Sequence, residues 1–477
     1  MFLKKRGEIM KKQKSLKDMS HSELHHSGSY AGRYMIEPIP KYVLPEESIP
    51  SEVAYRLIND EVSIDGKPAQ NLATFCTTWM SPDADKLILE GIHYNLADED
   101  EYPHVIEIQE RCVNMLANLF HAPSTEAGGA VGTATIGSSE AIMLAGLAMK
   151  FTWRNKRLKD GKPADKPNLV MGQNVQICWK KFARYFDVEP KFLPLEPGRY
   201  VVTPEQIVEA VDENTIGVCA VVGSTFTGEF EDVKAIDKAL SKVNEQNGWD
   251  IPIHVDGASG AMVAPFLYPD LEWDFQIPLV RSINVSGHKY GLCYPGIGWV
   301  IWRNADALPE DLIFHVNYLG GDMPTFNLNF SRPASGVLSQ YYNFIHLGRE
   351  GFTNIMKNLK ANADYIREEI IKIGDFEILS NAYSLPLVAW SCKAGAVYSA
   401  FHLSDKLRER GWIVPAYTMP KNAESVACLR AVIREGMSRD MADNLVRDIR
   451  WAVGILTKSR PKSAEDYIRL ENELGRC

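Results

Sequence analysis

Three short stretches set residues capable of chemistry directly after apolar runs: "TIGSSEA" (135–141), "IHVDGASG" (253–260) and "SINVSGHKYG" (282–291). In the last, Lys289 follows His288 at the end of a β-branched run, where a free ammonium would be costly to desolvate. That cost is offset if the amine is held as an imine with an aldehyde cofactor; a lysine snorkelling to the surface is the plainer alternative. In the second stretch, Asp256 ends an apolar run and small residues follow it. Its carboxylate suits the protonated ring nitrogen of a flat cofactor, with Ala258 small enough for the ring to lie against, or it caps the next turn. In the first, Gly137, Ser138 and Ser139 precede apolar residues at helical spacing. Free N–H groups and hydroxyls there favour an anion, although a serine N-cap with Glu140 in the first turn is also ordinary helix capping.

Together the three say more than each alone. Asp256 follows Ser138 by 118 positions and Lys289 follows Asp256 by 33, each beyond a strand-like run. Phosphate, pyridine nitrogen and aldehyde are the three points by which a protein holds pyridoxal 5'-phosphate, so the pattern points to that cofactor. No Walker loop, strand-linked GxGxxG, HExxH or GxSxG competes with it.

The elements that must position these residues follow from periodicity. "NLVMG" (168–172), "TIGVCAVVG" (215–223), "IPIHVD" (251–256), "SINVS" (282–286) and "GWVIW" (298–302) read as strands buried on both faces. Between the second and third, Val233, Ile236, Leu240 and Val243 share one helical face, and Gly248 ends the run. Alternating strands and helices predict an α/β unit with a largely parallel sheet, whose ligands sit beyond the carboxyl ends of the strands. From about residue 360 the pattern changes to a helix, strand-like pieces at "PLVAW" and "ESVACLRAVI", and a closing helix near "MADNLVRDIRWAVGIL", which predicts a small α+β domain. The expected organisation is an N-terminal arm and helical segment (1–69), a large cofactor-binding domain (70–359) and a small C-terminal domain (360–477).

Composition narrows the class. The chain has 477 residues, 45% of them hydrophobic, and a formal net charge of −9. It carries no basic excess to suggest a nucleic-acid or anionic-membrane partner, so a small-molecule substrate is expected. Eight cysteines lie scattered without a CxxC pair, which reads as free thiols in a reducing cytoplasm rather than disulfides or zinc. No run of about 18 apolar residues is present, so no integral membrane association is expected. The first 20 residues hold seven Lys or Arg against two acids without a following signal-peptide core, and read as a frayed basic arm. His21, His25 and His26 lack Cys or carboxylate partners at ligand spacing and read as solvated, so no metal is expected.

From about residue 55 to 455 the chain resembles the glutamate decarboxylases, group II pyridoxal-phosphate enzymes of fold type I. The ordered stretches "NLATFCTTWM", "DEYPH", "RCVNM", "TIGSSEA", "VQICWKKFARY", "DENTIGV", "HVDGASG", "VSGHKYG", "YLGG", "NFSRPA" and "GWIVPAYTMP" carry the likeness. The resemblance implies a mostly parallel seven-stranded sheet. It implies that Lys289 binds the cofactor aldehyde, that Asp256 holds the ring-nitrogen proton, and that Ser138, Ser139 and His288 bind the phosphate, with Ser331 reaching it from the neighbouring subunit. Gln176 would lie against one ring face opposite Ala258, where many other group II members have histidine. Thr225 would sit near the cofactor hydroxyl. Thr74 and Phe75 would bind the distal carboxylate of L-glutamate, helped by Asp98 across a dimer interface, and Arg430 would take the α-carboxylate. Tyr318, on a closing loop, would protonate Cα to give 4-aminobutanoate.

The implied assembly is a homodimer with shared active sites, or a hexamer built from such dimers, in the cytoplasm. Proton uptake at each turnover would suit acid resistance. Some bacterial members end in a tail whose histidine blocks the cofactor at neutral pH; here the last histidine is His402, so that shut-off is expected to be absent. "IRWAVGILTKSRPK" is faintly like the calmodulin site of plant members and reads as a core-packing helix. Gly257 stands where alanine is usual. Two rivals stay open: another amino acid chemistry on the same cofactor, and a catalytically silent paralogue acting as a scaffold.

Overall fold

The computed structural model describes residue 36 and residues 38–46, 48–123, 129–317, 323–380 and 383–458. The chain forms two compact units, Met1–Lys67 and Pro68–Cys477. The described part of the first includes helix α1 (Ser51–Val62). The basic arm, His21, His25, His26, Tyr318 and the C-terminal tail lie outside the described residues.

In the second unit the apolar runs become strands because covering helices let both faces of a parallel sheet be buried. The strands are β1 (Val131–Thr135), β2 (Asn168–Gly172), β3 (Glu189–Leu193), β4 (Thr215–Val221), β5 (Ile253–Asp256), β6 (Val280–Val285) and β7 (Gly298–Trp302). They make one sheet in the order β1-β7-β6-β5-β4-β2-β3. From β3 to β6 all neighbours run parallel, whereas β7 is antiparallel to both β6 and β1. The sheet is therefore mixed and mostly parallel, as expected. β1 and β3 carry no apolar run: "VGTAT" is small and polar, and "EPKFL" begins with two exposed residues. Pairing with already formed neighbours, not their own composition, makes them strands.

The helices covering this sheet include α2 (Ser138–Lys159), α3 (Ile177–Tyr185) and α4 (Val233–Asn247). The bounds of α4 are set locally. Asp232 accepts from the Ala235 N–H at 2.9 Å, and Gly248 ends the helix in the left-handed region at φ 67°, which costs a residue without Cβ little. Val233, Ile236 and Leu240 are buried, each contributing about 1.5–3 kcal/mol.

Beyond the large sheet, β8 (Phe314–Val316) and β9 (Met323–Thr325) pair as antiparallel strands. A long helix, α5 (Ser335–Ile373), kinks at Gly348, whose φ is 55°. An antiparallel sheet of β10 (Phe376–Ile378), β11 (Leu387–Cys392), β12 (Ala416–Thr418) and β13 (Ala427–Val432) follows in the order β10-β11-β13-β12. The closing helix α6 (Arg439–Lys458) buries Leu445, Ile449, Ala452 and Leu456, so up to Lys458 the segment "IRWAVGILTK" is a core-packing helix. One continuous core joins Val255 and Ile283 of the large sheet to Leu387 and Leu429 of the small one. That continuity fixes the small sheet against the ends of β4–β6, which is where the site forms.

Among the described residues no helix is long and apolar enough to cross a membrane, and no three His, Cys, Asp or Glu side chains stand together as a metal site. All the described cysteines are free.

Candidate active site

The turn from β1 into α2 builds a cradle. Gly137 has φ 153°, and a Cβ there would come within 2.9 Å of His288 Cε1, so close approach requires glycine. Ser138 Oγ lies 2.7 Å from Ser286 Oγ, tying the α2 N-terminus to the turn after β6. Glu140 is buried, and capping describes only part of its role. Its Oε2 accepts from the Ile136 N–H at 2.9 Å, and its Oε1 accepts from the Leu328 and Asn329 N–H groups at 3.0 and 3.1 Å. The carboxylate staples the cradle to a segment 188 and 189 positions away.

β5 and β6 end side by side, with Asp256 opposite Asn284 in register. Asp256 Oδ1 accepts from Asn284 Nδ2 at 3.2 Å and from the Ala258 N–H at 3.1 Å, while Oδ2 accepts from Trp179 Nε1 at 2.8 Å. These donors match a carboxylate's lone pairs and fix its orientation. Lys289 Nζ donates to Ser259 Oγ at 3.2 Å. Burial pulls the lysine's pKa below its usual value, with the nearby Asp256 opposing the shift. His288 is pushed down to about 4 by burial and by the adjacent Lys289, and its Nδ1 is buried without a partner among the described residues.

The segment 73–78 closes the far wall. The Thr77 N–H and Oγ1 donate to the carbonyls of His288 and Lys289, both at 2.9 Å. Thr74 Oγ1 accepts from the Cys76 N–H at 3.0 Å. Arg430, on β13, donates to the carbonyls of Ala73 and Thr225 while its guanidinium lies 4.7 Å from the centre of the Phe75 ring. Its Nε is buried without a partner among the described residues.

These walls enclose a cavity of about 740 Å³. Its lining includes Ser138, Ser139 and His288, together with Asp256, Ala258, Lys289 and Gln176, and with Thr74, Phe75, Thr225 and Arg430. Gln176 also caps α3, accepting from the Cys178 N–H at 3.1 Å. Asp98 and Ser331 stand outside this cavity, where Asn95 Nδ2 reaches Asp98 Oδ1 at 3.2 Å and Ser331 Oγ at 3.5 Å. Tyr318 lies outside the described residues. Sequence reasoning missed Trp179, Ser259 and Asn284. Only Asn284 left a signal, as a polar residue inside a strand apolar on both faces.

The residues fit the expected cofactor. An imidazole nitrogen without a partner among the described residues and two serines suit a phosphate, an oriented carboxylate suits a protonated ring nitrogen, and a half-buried lysine of lowered pKa suits an aldehyde. Sheet and site together define a fold type I pyridoxal-phosphate enzyme, and its cofactor is pyridoxal 5'-phosphate.

Comparison with known proteins agrees. Residues 45–393 match the pyridoxal-dependent decarboxylase conserved domain. Glutamate decarboxylase of Petunia hybrida is 56% identical over 91% of this chain and 87% of its own, and that of Aliivibrio fischeri is 50% identical over 88% and 90%. The glutamate decarboxylase structure from Lactobacillus brevis superposes with a TM-score of 0.87 at 40% identity, covering 90% of this chain and 98% of that one. The chain belongs to the pyridoxal-dependent decarboxylases and, within them, to the glutamate decarboxylase family.

Proposed function

We propose that this chain removes the α-carboxylate of L-glutamate, releasing carbon dioxide and 4-aminobutanoate and taking up one proton. The observation that carries the reading is one cavity lined by Arg430, Thr74 and Phe75 together with Lys289 and Asp256. When bound, pyridoxal phosphate supplies an aldehyde reactive toward amines and a protonated ring that draws electrons from the bond to be broken.

The chain's own residues do the rest. Ser138, Ser139, His288 and the α2 N-terminus bind the phosphate. Asp256 holds a proton on the ring nitrogen. Burial eases deprotonation of Lys289 Nζ, the amine for the aldehyde. Gln176 and Ala258 would flank the ring, and Thr225 would sit by its hydroxyl. Arg430 takes the α-carboxylate, a pairing suited to a bidentate guanidinium, only two of whose five N–H donors are engaged with the carbonyls of Thr225 and Ala73. Thr74 and Phe75 take the distal carboxylate with Asp98 of the partner subunit, and Tyr318 donates the proton to Cα.

A homodimer is part of the proposal. Asp98 and Ser331, the two residues assigned to the neighbouring site, cluster around one side chain, Asn95, away from this chain's own cavity. We place the enzyme in a microbial cytoplasm, where proton uptake would aid survival in acid; deletion of the gene should lower survival with glutamate at low pH.

The deciding experiment is an absorbance spectrum of purified protein before and after L-glutamate, with both products followed, alongside Lys289→Ala. Cofactor absorbance and both products in the wild type, with neither in the variant, uphold the reading. Bound cofactor without products moves the substrate to another amino acid. No bound cofactor after reconstitution sinks it.

A further inference from the structure

Three uncharged polar side chains are buried on the two central strands: His254 on β5, and Ser282 and Asn284 on β6, none more than 1% exposed. Parallel register sets His254 against Ser282 and Asp256 against Asn284. The four make a ladder. Ser282 Oγ is 2.7 Å from His254 Nδ1, His254 Nε2 is 2.8 Å from Asn284 Oδ1, and Asn284 Nδ2 is 3.2 Å from Asp256 Oδ1.

The direction of each bond is set by which atoms can donate. A carboxylate only accepts, so Asn284 must turn its amide nitrogen to Asp256 and its oxygen to His254. That oxygen needs a donor, which puts a proton on His254 Nε2. Nδ1 is then free to accept from the Ser282 hydroxyl. Burial holds the His254 pKa down at about 4, so the uncharged ring is the form present near neutrality. Trp179 completes the arrangement: it donates to the other oxygen of Asp256 and packs edge-on against the His254 ring, 5.2 Å between centres.

We propose that Ser282, His254 and Asn284 form a one-directional hydrogen-bond chain that fixes the Asp256 carboxylate toward the cofactor's ring nitrogen, with His254 as the positioning residue that sets the Asn284 amide. The proposal rests on the assignment of Asp256 to that nitrogen. His254 touches neither cofactor nor substrate; it acts by denying Asn284 the flipped orientation, in which the amide nitrogen would face the Nε2–H of His254, donor against donor. Bonds aligned in one sense also polarise one another, so each strengthens the next.

Two measurements test it. In apoenzyme labelled with ¹⁵N-histidine, His254 should show a protonated Nε2 and a bare Nδ1 from about pH 5.5 to about pH 8. In holoenzyme, His254→Phe should lower kcat about ten- to hundredfold with KM for L-glutamate changed no more than about twofold. Cofactor titrated into the apo variant should bind about tenfold more weakly. His254→Gln, which keeps an N–H for Asn284, should recover most of both losses, as a purely space-filling role would not allow. The reverse tautomer, titration near neutrality, or a His254→Phe variant with wild-type kcat and cofactor affinity would overturn the proposal. If His254→Phe does not fold, the tautomer decides. If the wild type itself ignores glutamate, the substrate assignment fails, while tautomer and cofactor titration still judge the chain.

Discussion

Glu140 Oε1 accepts from the Asn329 N–H at 3.1 Å, joining the first turn of α2 to a segment that lines the same cavity. With the Leu328 and Ile136 N–H groups on the same carboxylate, three backbone donors depend on one side chain. Glu140→Gln keeps the length but replaces one acceptor oxygen with a donor, so at least one partly buried N–H loses its partner. The expected result is about 1–3 kcal/mol less stability and about tenfold weaker cofactor binding. Urea unfolding and cofactor titration into the apoenzyme check both; unchanged cofactor affinity would show that the staple does not shape the cradle.

Trp179→Phe removes the indole N–H on Asp256 Oδ2 while leaving an aromatic ring against Phe182 and His254. A charge-assisted hydrogen bond is lost with little change in packing, so kcat should fall about tenfold or more. Stopped assays over a range of L-glutamate would show the loss in kcat, whereas a rise confined to KM would mean that Trp179 shapes substrate binding instead.

How much of this was legible in the sequence depends on what each residue's neighbours in the chain reveal. Lys289 and Asp256 could be read because each follows an apolar run and a parallel sheet collects strand ends at one edge, and Ser138 because small residues there precede apolar ones at helical spacing. β2, β4, β5, β6 and β7 were visible for the same reason. Trp179 was not, because a helix-borne indole three positions after Gln176 looks like core until the fold brings it to Asp256 from 77 positions away. β1 and β3 were hidden because pairing, not composition, makes them strands. Thr74, Phe75 and Arg430 acquired roles only through the family resemblance: nothing in "NLATFC" or "CLRAVI" indicates that the two would face each other across a cavity.

Stability of the apoenzyme should rise with pH between 4.5 and 6.5. His254 and His288 are held down at about 4 from the usual 6.5, chiefly by burial. In that window the unfolded chain binds protons that the folded one refuses, so their stabilisation is present above 6.5 and lost as pH falls toward 4. Glu231 works against them. Burial raises it from 4.5 to about 7, and its contribution, present below 4.5, is lost as pH rises through 7. Two histidines against one glutamate leave a net rise. Urea midpoints across the range should track it, and Glu231→Gln should steepen the slope; a midpoint flat or falling from pH 4.5 to 6.5 would contradict the assignment.

Arg434 holds the segment that carries Thr74 and Phe75. Its Nη1 donates to the Cys76 carbonyl at 2.7 Å and to Thr78 Oγ1 at 3.1 Å, and its Nη2 donates to the carbonyls of Asn71 and Pro68 at 2.8 and 3.2 Å. The neighbouring Glu435 Oε1 accepts from the Thr78 N–H at 2.8 Å. A planar guanidinium can serve four acceptors spread over eleven residues, whereas an ammonium is a compact point donor. Arg434→Lys therefore keeps the charge and loses the span. If Thr74 and Phe75 bind the distal carboxylate, loosening their segment should raise KM for L-glutamate about tenfold, with kcat and cofactor affinity within about threefold of wild type. Selectivity over amino acids lacking the distal carboxylate should fall with it, since that discrimination depends on polar groups held in place. Steady-state kinetics on glutamate and a shorter, uncharged amino acid measure both. If Arg434→Lys instead lost cofactor and kept its KM, the segment would belong to the Lys289 wall through Thr77 and not to substrate recognition.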